Sequence, residues 1–290
     1  MTRLLDNTYV PYVSTKHHQR FRLFGPERVG VYSRYSGNSV LPLYRMSAAR
    51  EVLYGPIIFL ITGVFRLEDP IAGWILDDWE DNVTISSPFG LNVHGWVDDK
   101  YWFSRGGWVW EANIQNTILP YLRRHEVAAA IRNLYNDFAS HCYTDVDAFT
   151  EEYRGWGRGS GPFYKNSDEL RFLNWLRDTL VLEDGETLWL APGAPRRWLA
   201  AGQKIEVRQA PTYFGPVTYR IEGTSMGVEA DVELPTRNQY SKAWLVVRAP
   251  DGKRIRTVEI DGKTSQDFDA RSERIRIPVK AGPTHISVRY

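Results

Sequence analysis

One cysteine, Cys142, and three methionines are all the sulfur that this 290-residue chain contains. A single thiol excludes an internal disulfide, so stability must come from a packed core. Cys142 closes an amphipathic run and is expected to be a buried structural thiol. An excess of charge of either sign is also missing. Lys plus Arg is 36 against 35 for Asp plus Glu, which excludes a basic arm and makes nucleic acid an unexpected partner. No long hydrophobic run exists either. The most apolar stretch, 56–65, is about half of what crosses a bilayer, so no membrane partner is expected. The opening residues MTRLLDNTYVPYVS lack the apolar stretch of a signal peptide, which leaves a soluble chain of undefined location. His94 and His125 stand alone, and neither HExxH nor paired CxxC occurs. No metal and no cofactor are therefore expected. GxSxG and the phosphate-cradling GxxxxGK[ST] are absent as well.

What the chain has is aromatic rings, 13% of its residues, and they are unevenly placed. Six of the eleven tryptophans (Trp74, Trp79, Trp96, Trp102, Trp108, Trp110) fall between Gly73 and Asn116. Seven carboxylates share that segment: Asp77, Asp78, Glu80, Asp81, Asp98, Asp99 and Glu111. A core does not take unpaired acids, and a solvated face does not take indoles. A surface that grips sugar rings takes both. Flat apolar faces stack on pyranose C–H groups, and carboxylates hydrogen-bond hydroxyls or move protons.

The organisation changes near residue 183. Before it the apolar period is helical. Val127, Ile131, Leu134 and Phe138 share one stripe of a helix over about 125–140, and Leu170, Leu173, Leu176 and Leu180 extend a helix that starts at Asn166. Ser47 to Phe65 reads as a helix interrupted at Gly55-Pro56, and Gly73–Glu80 and Ala112–Arg123 as shorter ones. After about residue 185 the period is two. Trp244–Arg248 and Ile255–Ile260 flank Pro250-Asp251-Gly252 as an expected hairpin, with Asp261-Gly262 as the next turn. Ile275, Ile277 and Val279 alternate with arginines, and Ile286 and Val288 alternate toward the end. The expected domains are 1–182, helical and carrying the site loops, and 183–290, an antiparallel β-domain of sandwich type.

Four stretches carry candidate chemistry. In Asp77-Asp78-Trp79-Glu80-Asp81 the carboxylates repel one another, which couples their ionisation and suits an acid–base pair; a solvated acidic turn is the plain alternative. Asp98 and Asp99 lie between Trp96 and Trp102, where Lys100 and Arg105 are able to neutralise them in surface pairs. Glu111 follows Trp110 at an expected helix start, where a carboxylate also serves as a simple cap. Residues 149–164, with Glu151, Glu152, Arg154, Trp156 and four glycines in seven residues, read as a lid or rim over a cleft.

Two passages resemble the (α/α)6-barrel glycoside hydrolases. Glu151-Glu152-Tyr153 followed by Gly159-Ser160-Gly161 is similar to a late E-x-Y…TG-type loop of such families. Leu188-Trp189-Leu190-Ala191-Pro192-Gly193-Ala194-Pro195-Arg196-Arg197-Trp198 resembles the "LLP…P..W" passage that opens their post-barrel domain. The resemblance implies a partial (α/α)6 toroid followed by an antiparallel β-sandwich-like domain. A full barrel needs twelve helices, so this chain corresponds to the C-terminal half, and the N-terminal half of the same barrel is an implied partner. It further implies hydrolysis of a carbohydrate substrate by two carboxylates. Asp78 or Glu80 is then one member and Glu152 the other. Asp77, Asp98, Asp99 and Glu111 stand in reserve, Trp79, Trp102, Trp110 and Trp156 stack on sugar, and Arg105 and Arg154 bind hydroxyls or a uronate. Two other readings stay open: a polysaccharide lyase of α/α-toroid type using His94, Tyr101 and Arg105, and a non-catalytic carbohydrate-binding remnant.

Overall fold

The computed structural model of the chain describes residues 31–32, 40–41, 56–78, 117–143, 148–153, 159–163, 166–236 and 240–290. The chain divides into two compact units, Met1–Trp175 and Leu176–Tyr290.

In the first unit the described elements begin with a short antiparallel pair, β1 (Val31–Tyr32) and β2 (Val40–Leu41). Helix α1 (Pro56–Ile61) starts on its proline, where the missing N–H removes only a bond that the first turn would not make. The part of the expected Ser47–Phe65 helix before Pro56 lies outside the described residues. Helices α2 (Pro70–Asp78), α3 (Leu119–Arg123) and α4 (Val127–His141) follow. The stripe expected on α4 is the side that packs. Ala130 and Leu134 are buried, and Phe138 meets Phe149 and Phe172 with ring centroids 6.1 and 5.2 Å away.

Three expectations for this unit are overturned. The helices do not form a partial (α/α)6 toroid. Among the described residues there are five helices, and three of them have only 6, 9 and 5 residues. At 1.5 Å per residue those three reach about 8–14 Å, too short to pair side by side as a toroid requires. The unit also holds a three-stranded antiparallel sheet: β3 (Cys142–Tyr143), β4 (Ala148–Tyr153) and β5 (Gly159–Phe163). The stretch read as a loop over a cleft is therefore, where described, a hairpin, with Thr150 opposite Phe163 and Glu152 opposite Ser160. Its glycines and charges concealed the strand pattern. Cys142, on β3, is half-buried rather than buried. Helix α5 (Asn166–Leu180) begins at the expected asparagine and runs across the boundary between the units. No helix among the described residues is long and apolar enough to cross a membrane.

The second unit is a β-sandwich. The five-stranded sheet contains β6 (Val181–Asp184), β7 (Thr187–Leu190), β11 (Lys242–Val246), β14 (Phe268–Asp269) and β15 (Arg274–Ile277), in the order β14-β15-β11-β7-β6. The six-stranded sheet contains β8 (Lys204–Ala210), β9 (Val217–Gly223), β10 (Gly227–Glu233), β12 (Thr257–Ile260), β13 (Lys263–Ser265) and β16 (Pro283–Arg289), in the order β13-β12-β16-β10-β9-β8. Alternation drives the packing. Leu188, Leu190, Ala243, Leu245, Ile275 and Ile277 point inward from one sheet; Tyr219, Ile221, Val228, Ala230, Val232, Ile286 and Val288 point inward from the other. Tyr219 is buried, and its hydroxyl donates to the Leu180 carbonyl at 2.9 Å, so its phenol is held far above the usual range by desolvation.

The Asp261-Gly262 turn forms as expected. Both residues have positive φ (50° and 75°) and Ile260 pairs with Lys263, the twist that a two-residue hairpin needs. The Pro250-Asp251-Gly252 turn does not make a hairpin. β11 and β12 lie in different sheets, and the chain between them crosses the sandwich edge with Ile255 buried. Val279, expected in the alternation, lies beyond β15 and is exposed. The five-stranded sheet is not purely antiparallel, because β11 runs parallel to β7.

Candidate functional site

Of the expected site residues, three have described backbones. Asp77 and Asp78 are the last two residues of α2, and Glu152 sits in β4 opposite Ser160 of β5. Trp79, Glu80, Asp98, Asp99, Trp102, Arg105, Trp110, Glu111, Arg154 and Trp156 lie outside the described residues, as do His94 and Tyr101. The place of the two aspartates has an electrostatic consequence. A helix C-terminus carries partial negative charge, and the last turn of α2 has no basic residue to offset it. Helix C-termini favour lysine or arginine, and α2 instead closes on two aspartates.

The second unit also holds an aromatic cluster. Trp189 on β7 and Trp244 on β11 are directly opposite each other in the parallel register. Their rings stack with centroids 6.1 Å apart and planes 20° apart. The Arg274 guanidinium lies over both, 4.8 Å from the Trp244 ring and 5.8 Å from that of Trp189. All three point away from the sandwich core, since their neighbours Leu188, Leu190, Ala243, Leu245 and Ile275 point into it. The row continues on either side: Leu182 pairs with Trp189, and Arg276 pairs with Trp244. Trp189 is buried at 8% exposure, whereas Trp244 is half-buried and Arg276 exposed. A signal existed in the sequence. Leu-Trp-Leu and Ala-Trp-Leu, read at period two, put each tryptophan on the face opposite the core.

A charged cluster sits beyond the end of β7. Arg196 clamps Glu273 with two bonds of 2.6 and 2.8 Å and donates to the Ala249 carbonyl at 2.8 Å. Glu273 is held at φ +54°, and its carbonyl accepts the Val247 N–H at 2.8 Å. Arg248 is 7% exposed and donates to the Ala194 carbonyl. Burial, with Arg196 nearby, pushes the Arg248 guanidinium down to about 10. One carboxylate thus balances two guanidinium groups. Glu273→Gln is expected to lower stability by about 2 kcal/mol in urea denaturation. Glu206→Gln, at an exposed carboxylate paired with Lys204 and Arg208, should leave the urea midpoint close to that of wild type, because solvent screens such pairs.

On the outer side of the six-stranded sheet, His285 Nδ1 is 2.8 Å from Asp231 and Nε2 is 3.4 Å from Glu229. Glu229 also accepts from Ser287 at 3.1 Å and Arg289 at 2.8 Å. The hydrogen bond to Asp231, then the surrounding carboxylates, holds the imidazole above its usual 6.5. A raised value in the folded state gives stability that is fully present below about pH 6.5 and lost as pH rises through the folded value. His285→Gln should therefore destabilise more at about pH 5.5 than at about pH 8.5. The difference should stay under about 1 kcal/mol, because the ring is half-exposed. Equal effects at both pH values would contradict this. Among the described residues no group of three or more His, Cys, Asp or Glu is arranged to hold a metal ion.

No family model matches the chain, and no curated protein matches it. Among solved structures it is similar to one titled "Glycoside hydrolase", at 10% identity and a TM-score of 0.42. That match covers 98% of this chain and 54% of the other, so this chain spans about half the length of that protein.

Proposed function

We propose that this chain is a glycoside hydrolase, or the C-terminal part of one, that cleaves glycosidic bonds of an oligo- or polysaccharide with a carboxylate pair. The observation that carries this reading is the coincidence of six tryptophans and seven carboxylates in the 44 residues 73–116. Asp77 and Asp78 fall in the last turn of α2, which holds no basic residue of its own.

The chemistry follows from what two carboxyl groups do across a glycosidic bond. One, protonated, gives its proton to the departing glycosidic oxygen as the bond to the anomeric carbon breaks. The other, ionised, either takes a proton from the attacking water or itself bonds to the anomeric carbon before water displaces it. In this reading Asp78 or Glu80 is one member, with Asp77, Asp98, Asp99 and Glu111 in reserve, and Glu152 is the other. Trp79, Trp102, Trp110 and Trp156 stack on the sugar faces, while Arg105 and Arg154 bind hydroxyls or a uronate carboxylate. The ligand class is carbohydrate.

The test is reducing-sugar release from a panel of polysaccharides by the full-length protein, comparing wild type with Asp78→Asn, Glu80→Gln and Glu152→Gln. Loss of turnover in Glu152→Gln and in one of the other two supports the assignment. Wild-type turnover in all three removes it. A product with an unsaturated ring, absorbing in the near-ultraviolet, would replace hydrolysis by elimination.

A further inference from the structure

We infer that the outer face of the five-stranded sheet is a second carbohydrate site, separate from the carboxylate pair, and that its ligand is an acidic polysaccharide bound across Trp244 and Arg276. Three observations support this. The first is the row itself. Trp189, Trp244 and Arg276 occupy matched positions on three adjacent strands, about 4.8 Å apart from strand to strand. Matched positions at that spacing place aromatic surface and then a cation on neighbouring strands.

The second observation is the state of the cations. Lys242 and Arg276 are exposed on the same face as Trp244, and neither makes an ion pair or a hydrogen bond through its side chain among the described residues. Arg274 differs in that its guanidinium is engaged over the two indoles. Its contact with Asp269 is a loose 3.7 Å, and its Nε is buried without a hydrogen-bond partner. Asp269 is engaged elsewhere, accepting from Ser272 Oγ at 2.5 Å, Ser272 N at 3.1 Å and Arg271 N at 2.9 Å. Lys242 and Arg276 retain donor capacity beside the part of the half-buried Trp244 that Arg274 leaves uncovered.

The third is chemistry. A pyranose offers a C–H face to an indole, and a uronate adds a carboxylate that matches the planar fork of arginine with two parallel bonds. A neutral sugar would use Trp244 and leave Arg276 and Lys242 unmatched. The buried Trp189 then serves as backing for Trp244 rather than as a contact.

The inference extends the carbohydrate reading to the second unit, yet its test is independent of catalysis. Full-length protein would be run in native gels containing polygalacturonate, and in parallel gels containing dextran. Wild type should be retarded by polygalacturonate and not by dextran, and added salt should abolish the effect. Trp244→Ala and Arg276→Gln should each weaken retardation roughly tenfold. Arg208→Gln, at an exposed cation on the other sheet, should leave it unchanged. Glu152→Gln should also bind like wild type, which separates this site from the catalytic proposal. Arg276 is exposed, so its substitution tests the idea even if Trp244→Ala fails to fold. Three results would overturn the inference: no retardation of wild type, equal retardation of Arg276→Gln and wild type, or the same loss in Arg208→Gln.

Discussion

Gly227→Ala should cost about 3 kcal/mol of stability or more, among the largest effects a single methyl group has in this fold. Gly227 opens β10 and pairs with Arg289 of β16. A Cβ built there would lie 1.8 Å from the Val288 carbonyl oxygen, 2.8 Å from the Val288 carbonyl carbon and 3.0 Å from the Arg289 Cα. All three atoms are backbone. No side chain is available to swing aside, and β16 is not free to retreat, because it is bonded to β10 on one side and to β12 on the other. Accommodation would have to break ladder bonds at the centre of the six-stranded sheet. Gly252→Ala is the matched control. It sits at φ +75° with nothing within 4 Å of the new methyl, so only the left-handed backbone is penalised, at about 1 kcal/mol. Urea denaturation followed by far-ultraviolet circular dichroism would measure both. Equal, small shifts in the two midpoints would mean that the close approach of β10 and β16 is wrong.

The position of that glycine could not be read from sequence, since it depends on which strand lies beside which. Local signals were legible. The Ile275/Ile277 and Ile286/Val288 alternations mark real strands, Asn166 does open a helix, and Asp261-Gly262 does close a two-residue turn. Each of these is fixed by residues within a few positions of one another. Pairing is not. Pro250-Asp251-Gly252 has turn chemistry whether the chain folds back within one sheet or crosses to the other, and only the burial of Ile255 in the shared core decides for crossing. The parallel pairing of β11 with β7 joins residues more than fifty positions apart, beyond any local pattern.

The toroid expectation failed for a related reason. The stripe Val127, Ile131, Leu134, Phe138 says that a helix has an apolar face, not that another long helix covers it. In the structure that face is shared by a strand and a helix, through Phe149 of β4 and Phe172 of α5. The strands β4 and β5 were hidden because Glu151, Glu152 and four nearby glycines break the period-two pattern. At the candidate site, composition was informative and geometry was not. The tryptophan–acid segment is visible in the sequence, while the indole pair on the sandwich needed the register of β7 against β11 to bring Trp189 and Trp244 together.

Glu152→Gln carries the other large expected effect. Glutamine keeps the shape of the side chain and removes its ability to hold or release a proton, so a strand-forming role would survive and a proton-transfer role would not. The hairpin partner Ser160 is joined to residue 152 through backbone pairing, which the substitution leaves intact. Stability should therefore stay within about 0.5 kcal/mol of wild type. Turnover should fall by about 10²-fold to 10⁴-fold, and KM should change little, because the proposed reading assigns stacking and hydroxyl binding to other residues.

The most direct measurement is kcat for glycosidic cleavage by the full-length protein and its Glu152→Gln variant, on whichever polysaccharide the wild type degrades. A fall of at least about 10²-fold with an unchanged melting temperature is the predicted result. A kcat within about threefold of wild type, or a wild type that cleaves no polysaccharide while still binding one, would contradict the carboxylate-pair reading.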